Sequence, residues 1–402
     1  MMRFVLADLR RLWAGSLVII CLVALASALG IGVTLQERAL RLGSARAADK
    51  FDLVIGAAGS ETQLVLSAVF LQPAPLPLLP GDVLTKLRQD PRIAWAAPIG
   101  FGDSYESYPI VGSTPELLSA LGGGEAIDGH APAELHDAVI GSSVDLKSGQ
   151  SFQPMHGLVE NAGHVHTEFT YRVTGRLPPT GTAWDRAIIV PIEAVWAVHG
   201  LHAEGAKGRG VFIPGLLDGS ITGKLPGVPA ILVKPRTIAD AYRLRGEYRG
   251  DATMAVFPGE VLTRLYATLG DARKVLGFIA LAAQALVAAA IALIAISHVH
   301  QRRRQIGALR AFGAPRSAVF GIVWIELIVL MGSGIALGFL IGWAAVRFLS
   351  GLLTAQNGVV LPVEFQQSDL GVALVLALGS AIIASIPASL AYRQPASSAL
   401  RA

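Results

Sequence analysis

Four long apolar runs dominate the chain and limit what it can fold into. They cover residues 14–35, 275–299, 319–346 and 370 to about 390. A helix needs about 20 apolar residues to cross the hydrocarbon core of a bilayer, and each run is long enough. The mean hydropathy of +0.54 and the charged fraction of 15% are also unlike those of an ordinary soluble protein. The sequence therefore predicts a polytopic α-helical membrane protein with four transmembrane helices.

Basic residues flank these runs unevenly, and this asymmetry predicts the topology. Arg10 and Arg11 precede the first run, a cluster of arginines separates the second from the third, and Arg393 follows the fourth. The loop between the third and fourth runs contains no Lys or Arg. Because basic loops stay in the cytoplasm, both termini are predicted to be cytoplasmic.

The predicted segments follow from the runs and their flanks. They are a cytoplasmic N-terminus (1–12), transmembrane helix 1 (13–35), an inserted external domain (36–270), transmembrane helix 2 (271–299), a cytoplasmic helix (300–317), transmembrane helix 3 (318–347), an external loop (348–369), transmembrane helix 4 (370–391) and a cytoplasmic tail (392–402).

The large insert, residues 36–270, has the pattern of an α+β domain. Short apolar runs at 138–140, 171–174, 187–190 and 230–233 predict strands, and 84–88, 115–121 and 238–245 predict helices. We expect two subdomains, one built from residues near 51–111 and 229–258 and the other from residues near 114–223.

Small residues recur every four positions in the third run, at Gly334, Gly338 and Gly342. Such a face lets two helix backbones approach closely. Packing within one bundle and a dimer interface are both compatible with this pattern.

Histidines in the insert form a candidate metal site. His164 and His166 would point to the same side of an extended segment, and His156 precedes them by eight residues. Imidazole clusters suit zinc, copper or nickel, so zinc is the candidate metal at His156, His164 and His166. His199 and His202 form a further pair at helical spacing. Solvated loop histidines are the alternative interpretation.

The basic segment between the second and third runs is amphipathic. Ile306, Leu309 and Phe312 recur at helical spacing, and Gly313 followed by Pro315 predicts a helix end. The segment is too short and charged to span a membrane, so it is predicted to lie at the cytoplasmic surface. Its candidate partner-binding residues are Arg302, Arg303, Arg304, Ile306, Leu309, Arg310 and Phe312.

The given sequence contains no motif for hydrolysing a nucleotide. It lacks the Gly-x-x-x-x-Gly-Lys-Ser/Thr segment of a P-loop, and it lacks the metalloprotease and nucleophile-elbow motifs. No aromatic and basic pattern predicts nucleic-acid binding. The chain is therefore predicted not to be an enzyme.

Three stretches resemble a known family. Residues 301–314 resemble the basic cytoplasmic segment of FtsX-like ABC transporter permeases, although Gln301 and Gln305 stand where that family often has Glu. Residues 391–401 resemble the family's C-terminal ending. Residues 110–117 and 173–193 resemble its MacB-type periplasmic core. The resemblance identifies 271–402 as an FtsX-like permease domain.

This resemblance implies a four-span permease in the bacterial inner membrane. It would act as a dimer with a second copy or a paralogue, in contact with membrane lipids, and would bind two copies of a separate ABC ATPase that holds ATP and Mg. ATP hydrolysis there would move the periplasmic domain, a mechanism called mechanotransmission. The exported or extracted substrate would be a lipoprotein, a peptide or another periplasmic molecule, with a periplasmic or outer-membrane partner.

Two alternatives remain open at this level. The chain could be a transmembrane signal transducer that activates a periplasmic cell-wall hydrolase without transporting anything. It could also belong to a metal-linked transport system, which depends on the histidines.

Overall fold

The computed structural model describes residues 10, 13–72, 74–122, 127–157, 167, 169–201, 225–301 and 312–393. Their contacts divide the chain into two compact units. The helical unit comprises Met1–Leu40, Leu269–Ser350 and Pro362–Ala402, and the sheet unit comprises Arg41–Thr268 and Gly351–Leu361.

The secondary structure of the described residues is as follows. The α-helices are α1 Trp13–Ala48, α2 Glu61–Ala68, α3 Gly81–Gln89, α4 Pro115–Gly122, α5 Ile192–Val198, α6 Ile238–Glu247, α7 Pro258–Gln301, α8 Arg316–Asn357 and α9 Gln367–Arg393. The strands are β1 Leu53–Ala57, β2 Ile93–Tyr105, β3 Tyr108–Ser113, β4 Asp128–Gly129, β5 Asp137–Ile140, β6 Ser151–Phe152, β7 Met155–His156, β8 Tyr171–Arg176, β9 Ile188–Pro191, β10 Ala230–Pro235 and β11 Thr253–Val256.

Within the described residues, three helices, α1, α8 and α9, are long and apolar enough to cross a membrane. They contain the first, third and fourth predicted spans. The second predicted span lies within α7, whose apolar stretch Gly277–Ala290 is shorter, so the four-span count stays a prediction. Helices α1 and α8 continue to Ala48 and Asn357, beyond the predicted span ends. The predicted loop at 348–369 is thus helical in its first part.

The glycine face of α8 packs against α1 in the helical unit. A Cβ added to Gly338 would lie 2.6 Å from the carbonyl oxygen of Ala24, and one added to Gly342 would lie 2.9 Å from that of Ala28. A Cβ on Gly334 would lie 2.6 Å from the Cβ of Val23. The two backbones therefore approach at distances that only glycine permits without a shift of the neighbouring helix. A role of these glycines in a dimer stays a prediction.

A mixed sheet, with strand order β11-β1-β10-β2-β3-β9-β5-β8-β4, forms the centre of the sheet unit. Its long strand β2 joins two halves, because residues 93–99 pair with β10 and residues 100–105 pair with β3. Most neighbours are antiparallel, whereas β3 with β9 and β5 with β8 are parallel.

Both faces of this sheet are buried, and the alternation of side chains sorts the core into layers. Val54 and Leu232 face one cluster that extends from β11 to β5 and also contains Val111 and Ile189. On the opposite face the core is divided into two clusters. One contains Ile55 and lies over β1 and β10, and the other lies over β3, β5 and β9.

Helix α5 bridges the two clusters on that divided face. Ile192 and Trp196 belong to one cluster, and Ala194 and Val195 belong to the other. The two predicted subdomains therefore share one core layer and one helix. The described contacts place them in a single compact unit, and their division into subdomains stays a prediction.

The strands expected from apolar runs are present as β5, β8, β9 and β10, and the expected helices as α3, α4 and α6. Strand β2 was not predicted. Its sequence contains Pro98, Gly100 and Gly102, residues that argue against a central strand because proline lacks a donor and glycine weakens pairing.

Candidate functional site

A bulge in β2 positions a buried carboxylate in the sheet unit. The pairing of β2 with β3 shifts register between Phe101 and Asp103, so Gly102 is the extra residue. Its φ of +155° favours glycine, and a Cβ there would lie 3.2 Å from Nε2 of His199. Bulges re-aim the side chain that follows them. Here that side chain is Asp103, which is only 2% exposed.

His156 lies directly opposite this carboxylate. Strand β7 pairs with β2 so that His156 is the cross-strand partner of Asp103. The Nδ1 atom of His156 is 3.3 Å from Oδ1 of Asp103, and the imidazole is 57% exposed. The turn after His156 is fixed because the N–H of Gly157 donates to the carbonyl of Gly102 at 2.9 Å and the hydroxyl of Ser104 donates to the carbonyl of Gly157.

The position of α5 brings a third group to the same place. Gly100 and Gly112 are cross-strand partners in β2 and β3. A Cβ on Gly100 would lie 2.6 Å from Ile192, and a Cβ on Gly112 would lie 2.5 Å from Val195. These two glycines therefore let α5 approach the sheet closely, and the residue that caps the end of α5 is His199.

His199 presents one defined nitrogen to the carboxylate. Its Nδ1 is 2.8 Å from the carbonyl oxygen of Val195. Because a carbonyl can only accept, Nδ1 carries the proton in this contact. The other nitrogen, Nε2, is 3.8 Å from Oδ1 of Asp103, and the side chain is 26% exposed.

Asp103, His156 and His199 thus form one cluster, which we call the Asp–His–His cluster. Their ligand atoms all lie within 4.8 Å of one another, a grouping that could hold a metal ion. The two imidazole rings are 5.6 Å apart between centroids and inclined at 59°. The pKa of Tyr171 is raised, first by burial and then by the negative charge of Asp103. An open groove of about 530 Å³ is lined by Tyr105, Phe152 and Met155 among others. Tyr105 and Met155 are close in sequence to Asp103 and His156.

The structure includes one of the three predicted metal ligands in this cluster. His156 belongs to it, whereas His164 and His166 lie outside the described residues. His199 was noticed as part of a helical pair but not joined to His156, and Asp103 was not predicted. A Gly-Asp step in a strand is a weak signal, and only the pairing of β7 with β2 brings the residues together.

Of the seven predicted partner-binding residues, Phe312 is the one within the described part of the chain, and it is 91% exposed. The other six, Arg302, Arg303, Arg304, Ile306, Leu309 and Arg310, lie outside it. Gly313 has a φ of +92°, a conformation that favours glycine. At the start of α8, the guanidinium of Arg316 lies 6.0 Å from the ring centroid of Tyr392 in α9.

An ion pair that was not predicted joins α1 to α9 in the helical unit. Arg38 binds Asp369 with two hydrogen bonds of 2.7 Å, and the two side chains are 7% and 3% exposed. Arg38 also donates to the carbonyl of Glu364 at 3.1 Å, and the N–H of Gln366 donates to Asp369 at 2.8 Å. The two parallel hydrogen bonds make this a bidentate pair. Each partner also makes a further hydrogen bond with the backbone, and we call this arrangement a closed pair.

Glu193, in the first turn of α5, is a further carboxylate, and its surroundings shift its pKa. Burial raises the pKa of Glu193 to about 7, and a backbone N–H and the charge of Arg88 lower it only in part. This side chain therefore changes charge near neutral pH.

The chain is similar to one protein family and to solved structures of known proteins. Residues 277–395 match the family model of the FtsX-like permease C-terminal domain. The structure of the periplasmic region of MacB from Actinobacillus actinomycetemcomitans is similar at 10% identity and a TM-score of 0.32, over 54% of this chain and 95% of that one. The extracellular domain of the noncanonic ABC-type transporter YknZ from Gram-positive bacteria is similar at 10% identity and a TM-score of 0.28, over 51% of this chain and 98% of that one.

A search of curated proteins found no match. The family model covers the residues of α7, α8 and α9 from Gly277 onward and includes the predicted partner-binding segment. Over residues 277–395 the chain is therefore similar to the C-terminal domain of FtsX-like permeases.

Proposed function

We propose that this chain is the membrane subunit of an ABC transporter in the bacterial inner membrane, with both termini in the cytoplasm and the sheet unit outside. ATP would be hydrolysed by two copies of a separate ATPase, bound to a dimer of the permease. The match of residues 277–395 to the FtsX-like permease family carries this proposal.

The segment between α7 and α8 is the proposed binding site for the ATPase. Phe312 is a large apolar side chain with 91% of its surface exposed, and the segment carries a dense group of arginines. Exposed aromatic and arginine side chains are typical of residues that anchor protein interfaces. We propose that they anchor the ATPase and that its ATP-driven motion acts on the sheet unit, for export or extraction of a lipoprotein, peptide or other periplasmic substrate.

Two features of the helical unit support this mechanical role. The close α1–α8 packing at Gly338 and the Arg38–Asp369 pair between α1 and α9 tie the helices of this unit together. A bundle held in this way would transmit a displacement rather than absorb it.

The binding proposal is tested by Leu309→Asp with Phe312→Asp in the full-length chain, expressed in its source cell. We expect the purified wild type to carry a Walker-A-containing ABC ATPase and ATPase activity, and the double variant to lose both. Tyr242→Asp, an exposed aromatic on α6 that is 62% exposed, is the matched control. An ATPase that stays bound to the double variant would refute the binding site.

The topology is tested with single cysteines in a Cys21→Ser background. Tyr242→Cys precedes α7 and Phe312→Cys follows it, so the two sites lie on opposite sides of the membrane only if α7 crosses. A membrane-impermeant maleimide should label Tyr242→Cys in cells with a permeabilised outer membrane and should label Phe312→Cys only after lysis. Labelling of both sites before lysis would refute a membrane crossing by α7.

A further inference from the structure

We propose that Asp103, His156 and His199 form a binding site for a divalent transition metal ion, zinc in particular, in the sheet unit. This site rests on the geometry of β2, β7 and α5 and does not depend on the ATP-driven activity proposed above.

Two distances within the cluster are close to those between ligands that share one ion. Two ligands at about 2.1 Å from a tetrahedral zinc lie about 3.4 Å apart. Nδ1 of His156 is 3.3 Å and Nε2 of His199 is 3.8 Å from the same oxygen, Oδ1 of Asp103. Both distances are long for a strong charge-assisted hydrogen bond, which is typically about 2.7–2.9 Å.

The orientation of His199 adds a second argument. Because Nδ1 donates to the carbonyl of Val195, Nε2 is the ring nitrogen that faces Asp103 and would be the ligand atom.

The hydrogen bond from Nδ1 of His199 to Val195 is also the support that metal-bound histidines typically have. A ligating imidazole donates its second N–H to a carbonyl or carboxylate, which fixes the ring and makes the ligand nitrogen more basic. The bulge at Gly102 and the turn at Gly157 hold the other two ligands through backbone contacts rather than through long flexible side chains. The site is therefore largely formed before an ion binds.

The donor set determines the class of ion. Two imidazoles and one carboxylate suit zinc and its neighbours, whereas magnesium and calcium prefer oxygen ligands only. Three protein ligands leave one tetrahedral position for water or another ligand, as in exchangeable or catalytic zinc sites. The exposed edge of His156 gives an ion access from solvent.

The test uses the full-length chain, purified without a histidine tag and reconstituted in lipid nanodiscs after treatment with a chelator. Zinc is titrated by calorimetry and by competition with a chromophoric chelator. We expect one zinc ion per chain with a dissociation constant below roughly 10 μM, and no competition from magnesium or calcium. His156→Gln, His199→Gln and Asp103→Asn should each weaken this binding at least about tenfold.

His136→Gln is the matched control, because His136 is also an exposed histidine of the sheet unit but contacts Thr170 instead of the cluster. It should bind zinc like the wild type. His164→Ala with His166→Ala tests the alternative ligands. Zinc binding that is lost in this double variant but retained in His199→Gln and Asp103→Asn would overturn the proposal, and so would a wild type that binds no zinc.

A spectroscopic measurement on the wild type keeps the proposal testable if a cluster variant does not fold. Copper(II) should bind the same site, since it forms stronger complexes than zinc with the same ligands. Pulsed electron paramagnetic resonance of the copper-loaded wild type should then show two imidazoles coupled to the copper ion. A spectrum with no imidazole nitrogen would contradict the site.

Discussion

The helical unit and the sheet unit each bury a carboxylate, and they treat it differently. In the helical unit, Asp369 receives two short hydrogen bonds from Arg38, and both side chains are almost fully buried. In the sheet unit, Asp103 is equally buried, but its described neighbours His156 and His199 are more distant and reach solvent. A closed pair fixes the structure around it, whereas a cluster of ligands at wider spacing can accept an ion.

Breaking the closed pair should have the largest effect. Arg38→Met leaves the Asp369 carboxylate buried without its partner and should lower the free energy of unfolding by about 3–5 kcal/mol. Arg38→Met with Asp369→Leu removes both charges and should recover most of that loss. Thermal unfolding of the full-length chain in nanodiscs measures both, and equal destabilisation of the single and double variants would contradict this interpretation.

Glu193 is a third carboxylate that can be compared with Asp369 and Asp103, because it should make the stability of the protein depend on pH. Its pKa is raised from 4.5 to about 7, so between these values the folded state holds a proton that the unfolded state has released. The free energy of unfolding should therefore fall as the pH rises from 4.5 to about 7, by up to about 3 kcal/mol from this group. Below pH 4.5 the contribution of Glu193 to the free energy of unfolding is fully present, and above about pH 7 it is lost.

Glu193→Gln removes this titration. The variant should be more stable than the wild type at pH 8 and no more stable at pH 4.5, as measured by chemical unfolding at both values. Parallel pH profiles for variant and wild type would show that Glu193 does not titrate in this range.

Disrupting the packing of α8 against α1 should have a smaller effect on stability, and the same helix offers a matched control. Gly338→Ala places a Cβ 2.6 Å from the Ala24 carbonyl oxygen and should destabilise the helical unit by about 1–3 kcal/mol. Gly332→Ala lies in the same helix with no atom within 4 Å of the added Cβ. It should be neutral or slightly stabilising, because alanine has the higher helix propensity. The comparison is made by thermal unfolding, and a neutral Gly338→Ala would refute close packing there.

The smallest change probes how the Asp–His–His cluster is built. Gly102→Ala adds a Cβ 3.2 Å from Nε2 of His199 at a φ of +155°, and should cost about 1–3 kcal/mol of stability. If the cluster binds zinc as proposed, the same variant should also weaken zinc binding. Gly149→Ala, which has a φ of +81° and no atom near the added Cβ, should show the backbone strain without the loss of zinc.

The apolar runs were sufficient to predict most of the scaffold, because burial acts on local patterns. Runs such as 230–233 are apolar at every position, and the structure explains this by burying both faces of β10. Strand β2 could not be predicted, since its Pro98 and glycines are unfavourable in a strand and its pairing with β10 is distant in sequence. A local sequence pattern cannot show that β2 pairs with β10, because the two strands are far apart in the chain.

The same reason explains the outcome for the candidate site. His156 was identified from the abundance of histidine near it, but Asp103 and His199 approach it only through the β7–β2 pairing and the docking of α5. The Arg38–Asp369 pair was missed because its members lie in segments predicted to be separate, at the start of the inserted domain and at the end of an external loop. Charged residues at such positions are usually solvated, so their burial requires the folded bundle.

The divided pairing of β2 has a consequence for the order in which the sheet unit forms. Residues 100–105 can pair with β3 as soon as the next few residues have been synthesised, whereas residues 93–99 need β10, which follows much later in the chain. Pairing between distant segments is slow, and an unpaired apolar edge favours aggregation. During synthesis, residues 100–105 can therefore pair with β3 while residues 93–99 still lack their neighbour β10. We expect chaperones to bind the unpaired edge at residues 93–99.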